Sequence, residues 1–170
     1  MQEGNGEERA MVVPTGLGFH IKVADMGRSL RFYTALGLKP VFAYGDDEFR
    51  SSLPAGTPSA PERYRGVTLR AGETDFEIAE GHIAVPSRSV YEATIESPKV
   101  SAMLRVESLV PVLSLPSVEI KFPVRHYYWG TIEAAFRDPD GFVVIAIAPF
   151  SEGELAAVSE LVPVETISPS

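Results

Sequence analysis

The chain of 170 residues contains no cysteine. Disulfides, thiolate nucleophiles and zinc–thiolate centres are therefore excluded. Long hydrophobic runs are missing as well. No stretch approaches the roughly 18 apolar residues that cross a bilayer, so no membrane partner is expected. The opening segment, MQEGNGEERA, is polar and acidic and has neither the basic start nor the apolar stretch of a secretory signal. Together with the lack of cysteine, this makes a cytoplasmic location the expectation. A basic stripe is also lacking. With 15 Lys and Arg against 23 Asp and Glu, the net charge is −8, and nucleic acid is not an expected partner. There is no GxGxxG after a strand, no GxxxxGK, no HExxH and no GxSxG, so none of those motifs points to a chemistry.

What is present is an ordinary apolar fraction of 45%, enough for one domain or two small modules sharing a core. The acidity sits toward the ends. Residues 1–9 hold three acids and one base, and residues 151–170 hold four acids and no base. Segments 1–15 and 150–170 therefore read as solvated tails, although the LAAV and LVPV pieces of the second are apolar enough to dock.

Between the tails the hydrophobic pattern runs twice. Residues 17–23 alternate as a strand, with Phe19, Ile21 and Val23 on one face and His20 and Lys22 on the other. Asp25 is placed to cap a helix over about 26–36, buried through Leu30, Tyr33 and Leu36, with Gly37 as its terminator. Strands follow at about 40–44, 64–70 and 74–80. A proline-rich loop at 45–62 has the length of a lid, although most such loops are only surface. Residues 81–97 read as a connector. The pattern then restarts with a strand at 100–106 and a short helix at 107–115, and three more strands lie near 117–124, 130–137 and 142–148, the last two joined by the turn DPDG at 138–141. A shift of 83 residues lays Ile21 on Leu104, Val23 on Val106 and Leu30 on Leu113. The expectation is an α+β fold of two βαβββ modules, at 16–80 and 98–149.

Two segments carry a family resemblance. One is HIKVADMGRSLRFYTALGL from His20, and the other is WGTIEAAFRDPDGFVVIAI from Trp129. With them the chain resembles the vicinal oxygen chelate superfamily, which holds type I glyoxalases, fosfomycin and bleomycin resistance proteins and extradiol dioxygenases. The resemblance implies paired βαβββ modules whose mixed sheets curl around a shared cup, and a homodimer. It also implies a metal position built from a His or Gln on each first strand and a Glu on each last strand. Carried onto this chain, those positions are His20 and Glu77 in the first module and Met103 and Ile145 in the second. Strand alternation turns all four away from the helix-packed face.

Only His20 and Glu77 are donors for a hard divalent ion, and two donors fall short of the usual three. No cofactor is expected; if a metal binds, His20 and Glu77 hold it. Otherwise this pair is a polar anchor for a ligand, a general-base pair, or a satisfied remnant. Met103, Ile145, Val143 and Ile147 make the other half of the cup apolar, suited to an apolar or aromatic small molecule. Tyr127, Tyr128 and Trp129 form an aromatic run that stacks flat ligands, plugs the cup or lines a dimer surface. His126 and His82 are loop histidines, of which His126 is a reserve metal ligand.

Two functions from different classes follow. The first is a metal-free binding protein for sequestration, resistance or sensing. The second is an enzyme of the same superfamily, either moving a proton through His20 and Glu77 or acting as a metal-dependent lyase or dioxygenase.

Overall fold

The computed structural model describes residues 17–81 and 87–169. His82 and the 1–15 tail lie outside them.

The first module contains β1 (Phe19–Lys22), α1 (Met26–Ala35), β2 (Lys39–Gly45), α2 (Asp47–Ser51), β3 (Ser59–Pro61), β4 (Gly66–Ala71) and β5 (Thr74–Ala79). A short α3 (Arg88–Glu92) lies in the connector. The second module contains β6 (Ser101–Arg105), α4 (Val110–Leu113), β7 (Val124–Tyr127), β8 (Thr131–Arg137) and β9 (Val143–Pro149), followed by α5 (Glu152–Ser159) and β10 (Val164–Ile167). The result is α+β, with two five-stranded mixed sheets ordered β1-β5-β4-β2-β3 and β10-β7-β8-β9-β6.

Helix α1 forms where its caps demand. The Asp25 carboxylate accepts the Arg28 amide at 2.8 Å. At the other end Gly37 takes φ +90, and the Gly37 and Leu38 amides donate back to the Thr34 and Tyr33 carbonyls. This is a Schellman closure, which needs a left-handed residue at that point. Helix α1 is also the hinge pin of the whole core. Its Tyr33 ring lies 4.7 Å from Phe76 of the first sheet, and its Phe32 ring 6.2 Å from Phe136 of the second. One cluster of buried side chains accordingly spans both modules, with Ile21, Leu69 and Ile78 from one sheet and Ile132, Val144 and Ala146 from the other. Each large aliphatic chain so buried stabilises the fold by about 1.5–3 kcal/mol.

The turn 138–141 does more than reverse the chain. Asp138 and Asp140 are only 5% and 4% exposed. The Tyr33 hydroxyl donates to Asp138 at 2.6 Å, and the Ser29 hydroxyl and the Ala24 amide donate to Asp140 at 3.0 and 2.8 Å. The turn is thus bolted to α1, more than a hundred residues earlier in the chain. Burial raises the Asp138 carboxyl above its usual range, while the Tyr33 hydroxyl and the Phe142 and Asp140 amides pull it back down.

Three expectations need correction. The segment 45–62 is no free lid: Asp46 caps α2 by accepting the Phe49 amide, and Phe49 and Leu53 are buried. No strand covers 117–123, because Pro116 and Pro123 lack the amide a ladder needs and β7 begins only at Val124. The 150–170 tail is folded. Val158 of α5 is fully buried, Glu154 accepts from Ser108 and the Leu109 amide, and β10 pairs in parallel with β7. The acids predict solvent exposure, but Glu154 turns inward to Ser108 and Leu109, and the apolar LAAV and LVPV pieces bring Leu155, Val158 and Val164 to the core.

Candidate functional site

Strand pairing fixes the four positions. In the first sheet β1 runs parallel to β5 with His20 opposite Glu77. In the second, β6 runs parallel to β9 with Met103 opposite Ile145. The two pairs therefore hold the same place in the two modules. Ile21, Phe76 and Ile78 are buried in the core, so His20 and Glu77 lie on the opposite face. Leu104, Val144 and Ala146 do the same for Met103 and Ile145.

The first sheet's outer face is polar and organised around Glu77. The Tyr44 hydroxyl donates to its carboxylate at 2.5 Å, and the His20 Nε2 lies 3.8 Å from the same oxygen. Thr68 stands opposite Glu77 on β4. A bulge between Pro40 and Phe42 shifts the β2 register, bringing Phe42 and Tyr44 onto this face. Tyr44 reaches Glu77 because Gly66 leaves its ring room: a Cβ there would meet the Tyr44 Cζ at 2.0 Å. Burial and the bond to Glu77 push the Tyr44 hydroxyl's pKa far up, so it stays a donor. Burial lowers the Lys22 ammonium, with the Glu77 charge opposing.

The second sheet's outer face is apolar at its centre and aromatic at one end. Met103 is 66% exposed, and Ile145 and Ala135 lie beside it in register. Tyr127 and Trp129 stack at 4.2 Å with their planes 12° apart. Trp129 remains 56% exposed and Tyr128 packs edge-on against it. A charged row, Arg105, Glu133, Arg125 and Glu165, crosses the same face, flanking Ile147. His126 does not belong to it. It alternates to the core side and stacks on Phe150 at 4.1 Å, so it is no reserve ligand for this face.

A cavity of about 1030 Å³ touches Ile145, and another of about 380 Å³ touches Met103, but neither is lined by His20 or Glu77. The sheets meet through their core faces around α1, which turns the His20 and Met103 faces outward.

The family model described as glyoxalase/bleomycin resistance protein/dioxygenase superfamily matches residues 17–145. The chain belongs to that superfamily. Solved structures agree on the fold. The genomically encoded fosfomycin resistance protein FosX from Listeria monocytogenes, in its monoclinic form, superposes with TM-score 0.55 at 17% identity, covering 84% of this chain and 99% of that one. The same protein complexed with Mn(II) and sulfate gives 0.52 at 15% identity, covering 85% and 99%. The hypothetical protein SA1046 from S. aureus gives 0.52 at 18%, covering 81% and 95%. No curated protein matches the chain.

The superfamily resemblance implies a divalent metal at the four register positions, and the residues here do not fit one. A thioether and an alkyl group fill the second module's two places, and hard ions take neither. Among the described residues no three His, Cys, Asp or Glu side chains converge as ligands would. Among the described residues, too, no helix is long and apolar enough to cross a membrane.

Sequence reasoning missed Tyr44, the closest partner of Glu77. The signal was there in Gly66 and the aromatic on the strand paired with it, but the β2 bulge hid the parity. It also missed Asp138 and Asp140 as anchors, since DPDG reads as a turn from composition alone.

Proposed function

We propose that this superfamily member binds an apolar or aromatic small molecule in a cup completed by a second copy of the chain, without a catalytic metal, for sequestration, resistance or sensing in the cytoplasm. The carrying observation is the contrast at equivalent register positions, His20–Glu77 against Met103–Ile145. One half offers a polar anchor, the other a thioether and an aliphatic chain beside the Tyr127–Trp129 stack. Exposed Met103, Trp129 and Phe42 on the two outward faces support burial against a partner copy. Elemental analysis of purified protein, with Mn(II) titrated by calorimetry and mass measured by light scattering, tests the reading. No stoichiometric metal, no heat and a dimer mass are expected. One tightly held divalent ion per chain would overturn it.

A second reading is favoured by one geometry, the Tyr44–Glu77–His20 group. A carboxylate held by a tyrosine hydroxyl and flanked by an imidazole can take a proton from a bound ligand. In an enzyme, Glu77→Gln and His20→Ala abolish turnover; in a binding protein, they change affinity only.

A further inference from the structure

Helix α1 has a second face. Arg28, Arg31, Phe32 and Ala35 recur at the spacing of one helical stripe, and all four line the larger cavity. The facing wall is the segment 115–122, and the floor continues to Val143 and Ile145. The cavity is a product of the short β7. Its pairing with β8 reaches only to Arg125 opposite Glu133, so Ala135–Arg137 of β8 lack a strand on that side. The chain between Pro116 and Pro123 stands off instead of closing the sheet.

The charge in this cavity runs against that of the chain. The Arg137 guanidinium donates to the carbonyls of Ile95 and Glu96 at 3.0 and 3.1 Å and to that of Gly141. These acceptors are neutral, so the cation is fixed in place but not cancelled. Arg31 is exposed and forms no ion pair among the described residues. Of the acids at the wall, Glu119 lies 3.5 Å from Lys121, and Asp138 is only 5% exposed, its carboxylate turned to Tyr33 and backbone amides. Arg28 lies 3.7 Å from Asp140, which leaves Arg31 and Arg137 as the cavity's cations without an acidic partner among the described residues. An apolar floor with Phe32 and Phe122 beside it, carrying uncancelled guanidinium charge, matches one kind of ligand.

We propose that this cavity binds an amphipathic organic anion, its apolar or aromatic body against Phe32, Phe122 and Val143 and its carboxylate- or sulfonate-type head toward Arg31 and Arg137. The proposal deepens the cup reading and rests on it insofar as Val143 and Ile145 face both spaces. It differs in being complete within one chain.

The test titrates 8-anilinonaphthalene-1-sulfonate, and the neutral N-phenyl-1-naphthylamine, into the full-length protein, followed by fluorescence. One saturable sulfonate site per chain is expected. Arg31→Glu should weaken the sulfonate about tenfold while leaving the neutral dye within about twofold. Phe122→Ala, a change at an exposed position, should weaken both. Trp129→Ala should retain the sulfonate. Equal sulfonate binding by Arg31→Glu, or no saturable site, overturns the proposal. Loss in Trp129→Ala with retention in Arg31→Glu also overturns it, by moving the dye to the aromatic rim, and leaves the cup reading standing. Failure of the cup reading is seen separately, in the metal content and the dimer mass.

Discussion

The two modules share one plan and finish it from different parts of the chain. In each sheet the module's first strand lies parallel to its closing strand, β1 to β5 and β6 to β9, with that strand's hairpin partner next, then a fourth strand, then a short parallel strand at the far edge. In the first module that edge strand, β3, arrives with α2 as an insertion between β2 and β4. In the second, β10 arrives with α5 after the module has ended. Each helix buries an apolar side chain in the core, Phe49 from α2 beside β2 and Val158 from α5. The outer faces, by contrast, differ in kind, polar around Glu77 and apolar around Ile145. Backbone pairing and the core faces thus carry the architecture, and the outer faces are free to diverge.

The comparison can be broken most severely at its unequal ends. Removing residues 150–170 strips the second sheet of β10 and uncovers the surface under Val158, Leu155 and Val164, while the first sheet keeps its own edge. A loss of more than about 4 kcal/mol is expected from those side chains, read as a large drop in thermal midpoint with aggregation at the bared edge of β7. A midpoint unchanged within a few degrees would show that the C-terminal elements are ornament.

A smaller break is Tyr33→Phe, which removes the hydroxyl that joins α1 of the first module to Asp138 of the second. Leaving a buried carboxylate oxygen short of a donor should cost about 1–3 kcal/mol in urea unfolding. An unchanged midpoint would mean that the Tyr33–Asp138 bond adds nothing to the apolar contacts and the Asp140 bonds that also join the modules.

The smallest expected effect sharpens the comparison instead of breaking it. Burial raises the Asp138 carboxyl, so the folded chain holds its proton more tightly than the unfolded one. The stabilisation from this group is complete below the unfolded carboxylate pKa of about 3.9 and is lost as pH rises through the higher folded value. Asp138→Asn keeps an acceptor for the backbone amides and cannot titrate. Its unfolding free energy, compared with that of the parent over this window, should lack the downward slope that Asp138 contributes. Parallel curves would refute the assignment.

Much of this fold was legible because its signals are local. Asp25 and Gly37 bound α1 as their chemistry requires, and alternation placed Ile21, Phe76 and Ile78 inward and His20 and Glu77 outward. The errors share a cause. The apolar pattern at 117–124 predicts a strand, but Pro123 cannot donate to a ladder and the strand begins only at Val124. The acids of 151–170 favour a solvated tail and its LAAV and LVPV pieces favour docking, and only the tertiary structure decides for Val158 and Val164. Asp138 and Asp140 looked like turn residues because nothing near them in sequence shows Ser29 and Tyr33 arriving from the other module. The equivalent register of His20, Glu77, Met103 and Ile145 is legible from strand alternation and the 83-residue shift, but the Tyr44 bond and the cavity beside β8 depend on a bulge and a missing strand.

The placement of β10 has a consequence for how the chain comes to be folded. The first sheet is built wholly from residues 19–79 and can pair as soon as that stretch has been synthesised. The second sheet waits for residue 167, and α1 waits for Asp138 and Asp140 before its last polar groups are met. During that interval β7 presents an open edge and the apolar faces meant for α5 are wet. Such long-range closures slow folding and expose sticky surface. The acids at 152, 154, 160 and 165 ride on the segment that closes last, so the piece that must stay soluble longest carries charge of a single sign.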